Sequence, residues 1–368
     1  MTRIQFDAIG GDWVDPPMLL PASIPLELSG ETIRNRLITS ADGPGEELAL
    51  RPDLTLATVR HFLQSEAEAP VSYRYFGKAF RQPVLEGEPV EFYQTGFEIL
   101  GDEDWLASDL RTLEAICQEV SDTGIRDCQL YLGDISIFTS VVGALGLSEA
   151  WQSRILRAFR RREGISALLK AAPQTSTHSV LSETLSNMPG DQAAALLDEV
   201  LALSSGNIVG GRTRGEIIER LQARASASSD PLPDSARDVL SQLIEISGPP
   251  SVFLERLSNL AEVHQLDITT ILERTRSLIS ALDEKGVPFW SHAHMSIQFG
   301  RRFDYYDGLV FELCHTAFSS QRPLAAGGRY DGLVSMLSQG QRSAPAIGGV
   351  IRPDRVRQAL EIEAGGAK

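Results

Sequence analysis

The sequence contains no uninterrupted run of about 18 apolar residues, the length that a helix needs to cross a bilayer. Its first residues, MTRIQFDAIGGDW, lack the basic and then apolar pattern of a secretion signal. Cysteine is scarce too, with three in 368 residues and no metal-ligand spacing. We therefore expect a cytoplasmic protein that contacts no membrane, keeps its thiols reduced and uses neither a metal nor a cofactor.

Positive charge is also in short supply. The chain has 34 Lys and Arg residues against 49 Asp and Glu residues, which gives a formal net charge of −15. Such a surface repels a polyanion over most of its area, so a nucleic acid would need a concentrated basic patch. The densest basic segment, ILRAFRRREG at residues 155–164, is short and has the spacing of a solvated helix face. The composition predicts no nucleic-acid partner.

One segment has no positive charge at all. From Gln82 to Asp104 the chain has seven acidic residues and no Lys or Arg. The runs YRYFGKAF and EFYQTGFEIL alternate in polarity and predict two antiparallel strands with a polar connection, followed by a helix from Ser108 to about Val120. A strand that ends in an arginine, Arg81, and returns after a loop is suited to hold a phosphate. The missing cations therefore need an explanation.

The patterns of apolar residues divide the chain into an α+β part and a helical part. Residues 1–147 and 250–368 mix strand-like alternation with helical spacing. Residues 148–249 show apolar spacing of three and four almost throughout. We predict one discontinuous α+β domain, residues 1–147 and 250–368, interrupted by an all-helical insertion domain at 148–249.

Five segments of the α+β part form an ordered set. They are LRPDLT at 50–55, FRQPVLEGEPVEFYQTGFE at 80–98, GRRFDYYDGLVFE at 300–312, AAGGRYDGL at 325–333 and AIGGVIRPDR at 346–355. Their order, spacing and residue sequence resemble those of the catalytic core of the histidyl-tRNA synthetases, which are class II aminoacyl-tRNA synthetases. One such motif is weak, but five in order are specific. The resemblance implies an antiparallel sheet flanked by helices.

The resemblance also implies a pocket for histidine. Free histidine presents an ammonium, a carboxylate and an imidazole, which call for an acid, a cation or amide, and a partner for a ring N–H. The residues at the matching positions are Asp53, Thr55 and Gln94 for the ammonium, Glu98 and Tyr306 for the imidazole with Tyr305 beside them, and Arg301 near the carboxylate.

Other roles stay open for some of these residues. Asp53 could cap a helix, and Tyr305 and Tyr306 could alternate between core and surface. The glycines of AAGGRYDGL suit a turn as well as close approach to a ligand. Glu98 is different, because an acid inside an otherwise apolar strand needs a partner.

The sequence departs from the synthetase pattern where that enzyme holds ATP. Arg81 is kept, but the basic residues that follow it in the synthetase are replaced by QPVLEGEPVE. Arg355 is kept within a motif altered to RPDR. A triphosphate needs several fixed cations or their metal ions, so we predict that adenylation is lost and that Arg81 and Arg355 are vestigial nucleotide contacts.

Two further departures bear on the pocket and on tRNA. Arg302 stands where the synthetase usually has glycine, which leaves open whether Arg301 or Arg302 faces the ligand. Only 13 residues follow Arg355, so we expect no anticodon-binding domain.

A core with these losses is similar to the regulatory-subunit family of ATP phosphoribosyltransferase, the first enzyme of histidine biosynthesis in bacteria that use the short catalytic subunit. The segments LPASIPLELSGETIRNRL, LGDISIFTSVVGALGL and VGGRTRGEI also resemble that family. The resemblance implies a non-catalytic chain that binds L-histidine, forms a homodimer within a hetero-oligomer, and mediates activation and feedback inhibition of the short catalytic subunit. Two alternatives stay open: an active truncated histidyl-tRNA synthetase-like amino-acid-activating enzyme, and a free-standing sensor that regulates a different protein.

Overall fold

A computed structural model describes residues 4–28, 33–40, 47–65, 67–160, 164–170, 231–300, 305–319 and 322–365 of the chain. Internal contacts divide the chain into one unit of residues 1–141 and 242–368 and a second unit of residues 142–241. The boundaries inferred from sequence, at 148 and 249, remain a prediction.

The described residues form twelve strands and eleven α-helices. The strands are β1 (Asp12–Val14), β2 (Leu19–Pro21), β3 (Thr39–Ser40), β4 (Leu48–Leu50), β5 (Val71–Phe80), β6 (Glu91–Leu100), β7 (Cys128–Asp134), β8 (Ser247–Gly248), β9 (His294–Ser296), β10 (Leu309–His315), β11 (Ala325–Arg329) and β12 (Ala346–Ile351). The helices are α1 (Ser23–Leu28), α2 (Thr55–Gln64), α3 (Trp105–Asp122), α4 (Ile135–Ala144), α5 (Glu149–Arg160), α6 (Gly164–Lys170), α7 (Asp234–Ile244), α8 (Pro250–Val263), α9 (Thr269–Lys285), α10 (Asp331–Leu337) and α11 (Pro353–Gly365).

Nine of these strands form one mixed, mainly antiparallel sheet in the first unit. Their order is β1-β5-β6-β12-β11-β10-β7-β9-β8, and β2, β4 and β3 form a smaller sheet. Every pair from β5 through β7 in this order is antiparallel, whereas β1 and β9 are parallel to their neighbours β5 and β7. The predicted α+β class and the predicted hairpin of β5 and β6 are confirmed.

Strand register collects the polar residues of the centre on one face of the large sheet. Opposed residues of an antiparallel pair point to the same face, and the side-chain period is two. Glu98 of β6 is opposite Gly348 of β12, which is opposite Gly328 of β11. Tyr75 of β5 is opposite Gly96, so it shares this face with Glu98. The other face of β12 is covered by α3, whose Ile116 lies beside Gly349.

Helix α2 and helix α10 pack beside the polar face. A buried cluster joins Leu56 and Phe62 of α2 with Tyr305, Tyr330 and Leu333. Burial of these apolar side chains holds the start of α2 and the end of β11 in one place, because apolar area removed from water contributes about 25 cal/mol per Å². The two elements that supply Thr55 and Tyr330 are therefore fixed by packing.

The described part of the second unit, residues 142–160, 164–170 and 231–241, is helical apart from short turns and connections. Within the part of the chain that the structure covers, every helix is too short or too polar to span a bilayer.

Candidate amino-acid site

Glu98 is the centre of the candidate site. Its side chain is fully buried in β6 and accepts hydrogen bonds from Thr55 Oγ1 at 2.7 Å, from Tyr75 Oη at 2.8 Å and from Tyr330 Oη. Burial raises the pKa of Glu98 from 4.5 to about 7, although the three hydroxyl donors offset part of the rise. The sequence-based expectation that this acid needs a partner is met by three of them.

The loop before α2 adds a second acid. Asp53 is buried, and its Oδ1 accepts a hydrogen bond from the Leu56 amide at 3.0 Å, so it caps the first turn of the helix. Its other oxygen, Oδ2, is buried and has no hydrogen-bond partner among the described residues. Burial raises the pKa of Asp53, whereas the hydrogen bond from the Leu56 amide, the charge of Arg81 and a hydrogen bond with Tyr305 lower it in part. Asp53 can therefore serve as a cap and still offer an acceptor to a ligand.

Gln94 supplies a further acceptor on the same face of β6. It lies four residues before Glu98 and is buried, and its Oε1 has no hydrogen-bond partner in the described part of the chain. An unpaired buried acceptor costs about 1–3 kcal/mol. Two such atoms, on Asp53 and Gln94, suit a ligand with several N–H donors.

Three tyrosines form one wall of the site. The ring centroids of Tyr305 and Tyr306 lie 4.8 Å apart, and those of Tyr305 and Tyr330 lie 5.9 Å apart. Burial raises the pKa of each phenol, the charge of Glu98 raises all three further, and the charge of Asp53 also raises those of Tyr305 and Tyr306. The hydroxyls therefore stay protonated at neutral pH and can donate hydrogen bonds.

The glycines of two strands leave room beside Glu98. A Cβ at Gly348 would lie 1.6 Å from Glu98 Oε2, which no side chain can tolerate. A Cβ at Gly328 would lie 2.5 Å from the Leu309 carbonyl oxygen and 3.0 Å from the Tyr306 ring. These positions need glycine because the carboxylate and the aromatic wall approach the backbone itself.

The predicted site residues thus fall into three groups. Asp53, Thr55, Glu98, Tyr305 and Tyr306 are brought together, and Gln94 lies on the same sheet face. The remaining predicted residue, Arg301, lies outside the described residues, as does the neighbouring Arg302 that could replace it.

The two predicted vestigial nucleotide contacts lie next to the hairpin. Burial and the charges of neighbouring arginines lower the pKa of Arg81 to about 9, although the charge of Asp53 offsets part of this fall. Arg355 donates to Glu88 Oε2 at 2.7 Å and to the Pro323 carbonyl at 2.9 Å. Arg355 is therefore bound within the chain.

Sequence reasoning missed two of the three donors to Glu98. Tyr75 belongs to the run YRYFGKAF and Tyr330 to AAGGRYDGL, but neither was assigned to the pocket. The alternation of β5 was an available signal for Tyr75, because once the hairpin register is known it falls on the face of Glu98.

Glu98 should also make stability depend on pH. Because its pKa is higher in the folded chain than its ordinary 4.5, its contribution to stability is complete below about pH 4.5 and is lost as the pH rises through 7. We expect the thermal midpoint of the ligand-free protein to fall between pH 5 and pH 7.5, and Glu98→Gln to make that fall smaller. Circular dichroism melts at several pH values measure this.

Burial also raises the pKa of other acids, such as Asp109, whose pKa is about 6. These acids lower the stability over the same pH range. The diagnostic quantity is therefore the difference between wild type and variant. Glu91→Gln, at the exposed start of the same strand, is the control and should follow wild type. Parallel curves for wild type and Glu98→Gln would remove Glu98 as the source.

Comparison with known proteins adds a family and a fold. The family model described as histidyl-tRNA synthetase matches residues 3–208 and 212–356. The ATP phosphoribosyltransferase regulatory subunit of Brucella anthropi is 30% identical over 363 residues, covering 97% of this chain and 96% of that one. The one of Agrobacterium fabrum is 33% identical over 362 residues, covering 96% and 94%.

Solved structures give the same fold. A Bacillus halodurans protein described as an ATP phosphoribosyltransferase regulatory subunit/histidyl-tRNA synthetase aligns with a TM-score of 0.62 at 20% identity, covering 96% of this chain and 76% of that one. A histidyl-tRNA synthetase from a Nostoc species aligns with a TM-score of 0.61 at 16% identity, covering 98% and 69%. The predicted class II synthetase-like fold is confirmed.

Proposed function

The chain belongs to the family of ATP phosphoribosyltransferase regulatory subunits and has the histidyl-tRNA synthetase fold, and from this premise we propose that it binds L-histidine and regulates a separate, short-form catalytic chain in the cytoplasm. The observation that carries the proposal is the buried Glu98 carboxylate, fixed by three hydroxyl donors beside unpaired acceptors on Asp53 and Gln94.

The ligand groups of histidine match this arrangement. The ammonium would donate to Asp53 Oδ2 and Gln94 Oε1, which removes two unsatisfied buried acceptors at once. An imidazole N–H would donate to Glu98, and the ring would lie against the tyrosine wall of Tyr305, Tyr306 and Tyr330. A ligand without a ring N–H cannot donate a hydrogen bond to Glu98, so the pocket would favour histidine over such ligands. The ligand carboxylate is assigned to Arg301 by family resemblance.

A regulatory role without catalysis fits the hairpin. Its segment from Gln82 to Asp104 has no Lys or Arg, and Arg355 is engaged by Glu88. A triphosphate would meet a carboxylate where the synthetases present cations. We infer that the chain binds the amino acid without activating it.

Regulation then requires two states of an assembly. Histidine must bind one state more tightly than the other. A typical coupling free energy of about 1–3 kcal/mol corresponds to a ratio of roughly 5 to 150 between the two affinities. We propose that the two states belong to a hetero-oligomer of a homodimer of this chain with short catalytic chains. The catalytic chain would be activated by assembly and inhibited when histidine is bound.

Mixing the two purified chains tests this function. The short catalytic chain alone should have little ATP phosphoribosyltransferase activity, gain activity when this chain is added, and lose it when L-histidine is titrated in. This chain alone should catalyse no histidine-dependent exchange of pyrophosphate into ATP. Clear exchange would instead show an amino-acid-activating enzyme, and an unchanged catalytic rate on mixing would contradict the proposed regulation and favour a sensor for another protein.

A further inference from the structure

Five arginines from separated segments lie around the loop end of the hairpin of β5 and β6, and we refer to them as the arginine cluster. They are Arg36, Arg81, Arg322, Arg352 and Arg355. Burial, together with the charges of Arg36, Arg352 and Arg355, lowers the pKa of Arg81 to about 9. Arg81 and Arg352 both lie over the Phe92 ring, at 4.9 Å and 3.7 Å from its centroid. A concentrated positive site thus exists in a chain of net charge −15.

Glu88 of the hairpin loop enters this cluster from the side. Its Oε1 lies 2.6 Å from Arg322 Nε, and its Oε2 accepts a hydrogen bond from Arg355 Nη2 at 2.7 Å. The side chain is only 14% exposed. Burial by itself would raise the pKa of Glu88, but the bond from Arg355 and the charges of Arg322 and Arg352 bring it below the ordinary value. Glu88 is therefore an ionised carboxylate held between two guanidinium groups.

A tight turn carries Glu88 to this position. Gly87 has a φ of 82°, a left-handed conformation, and the Glu88 amide donates to the Leu85 carbonyl at 3.3 Å. The preceding acid, Glu86, is exposed to solvent. The third acid of the loop region, Glu91, pairs with Lys78 at the start of β6. Of these three acids only Glu88 faces the arginines.

The cluster has a buried donor that is left for an anion. Among the described residues, the carboxylates that lie against it include Glu88, Asp354, which pairs with Arg352 at 2.8 Å, and Asp53 near Arg81. In addition, Arg355 Nε is buried and has no hydrogen-bond partner among the described residues.

We propose that Glu88 is a built-in counter-ion that closes an anion site, so that the arginine cluster accepts a diphosphate group only when Glu88 is neutralised or displaced. Carboxylate and phosphate oxygens compete for the same N–H donors of a guanidinium group, in the same geometry. An incoming diphosphate must break the contacts of Glu88 with Arg322 and Arg355, and it is repelled by the charge that it displaces. The histidine pocket borders the cluster at Asp53, which lies near Arg81, but Glu88 contacts Arg322 and Arg355 and lies outside the set around Glu98.

The test is calorimetric titration of the full chain with inorganic pyrophosphate at constant ionic strength. We expect wild type to bind weakly or not at all, and Glu88→Gln to gain at least tenfold in affinity because the glutamine keeps the shape and loses the charge. Glu86→Gln, which removes an exposed acid from the same loop, should remain like wild type. A second change, Arg355→Met, should abolish the gain.

Several outcomes would overturn the proposal. An equal gain in Glu86→Gln and Glu88→Gln would show a general effect of net charge, and no gain in Glu88→Gln would show that Glu88 closes nothing. Glu88→Ala provides a second route if the glutamine variant does not fold, and thermal melts verify folding in each case. A parallel titration with L-histidine should give the wild-type affinity in Glu88→Gln, so failure of this proposal is separable from failure of the proposed function.

Discussion

Glu98→Gln is expected to weaken L-histidine binding by about 10- to 150-fold. The variant keeps the size of the side chain but loses a charge-assisted hydrogen bond to the imidazole, and such bonds contribute roughly 1.5–3 kcal/mol. Glutamine also presents an NH₂ donor to hydroxyls that donate to Glu98 in wild type, those of Thr55, Tyr75 and Tyr330. Isothermal titration of both proteins with L-histidine measures the difference.

The matched control is Glu91→Gln in the same strand. Glu91 is exposed and pairs with Lys78 at 2.5 Å on the surface, so its loss should leave histidine affinity within a factor of about two. Thermal melts of both variants separate a lost contact from a lost fold. Equal affinities for wild type and Glu98→Gln would show that the imidazole does not contact this acid.

Arg329→Met is expected to lower the free energy of unfolding by about 3–5 kcal/mol. Arg329 is 1% exposed and donates to Asp109 Oδ1 from Nε at 2.8 Å and from Nη2 at 2.6 Å. It also donates to Ser108 Oγ at 2.6 Å and to Asp331 Oδ1 at 2.9 Å. Removing it leaves Asp109 buried, with Arg274 at 3.6 Å as its nearest remaining ion-pair partner in the described part of the chain.

Urea denaturation at pH 7.5 measures this loss, and two further variants show its origin. Lys285→Met removes an ion pair to the same helix, α3, but that pair with Glu114 at 2.7 Å is largely solvent-exposed and should contribute less than about 1 kcal/mol. Arg329→Met combined with Asp109→Leu should recover part of the stability, because no charge is then left unpaired. If Arg329→Met costs no more than Lys285→Met, the network does not support the fold.

Local sequence patterns were sufficient for most of the sheet and much of its helical cover. The alternation of YRYFGKAF and EFYQTGFEIL predicted β5 and β6, and both strands are present with the expected antiparallel pairing. The helix expected from Ser108 begins earlier, at Trp105, because Asp104 accepts a hydrogen bond from the Ala107 amide and caps it. Apolar spacing locates a helix, but the first turn depends on capping.

The site could be predicted only in part, because non-local pairing decides which side chains meet. Glu98 was conspicuous as an acid in an apolar strand, whereas Tyr330 reaches it across the sheet from a segment more than two hundred residues away. The hairpin loop after Arg81 has no Lys or Arg of its own, as the sequence shows. Local sequence gave no indication that Arg322 and Arg352, from the C-terminal part of the chain, would lie near this loop.

The most direct test of the central claim is a calorimetric titration of the purified wild-type chain with L-histidine, without any partner chain. We predict saturable binding of one L-histidine per chain, with L-phenylalanine giving no comparable heat because it has no ring N–H for Glu98. Absence of histidine binding at millimolar ligand, or equal binding of the two amino acids, would contradict it.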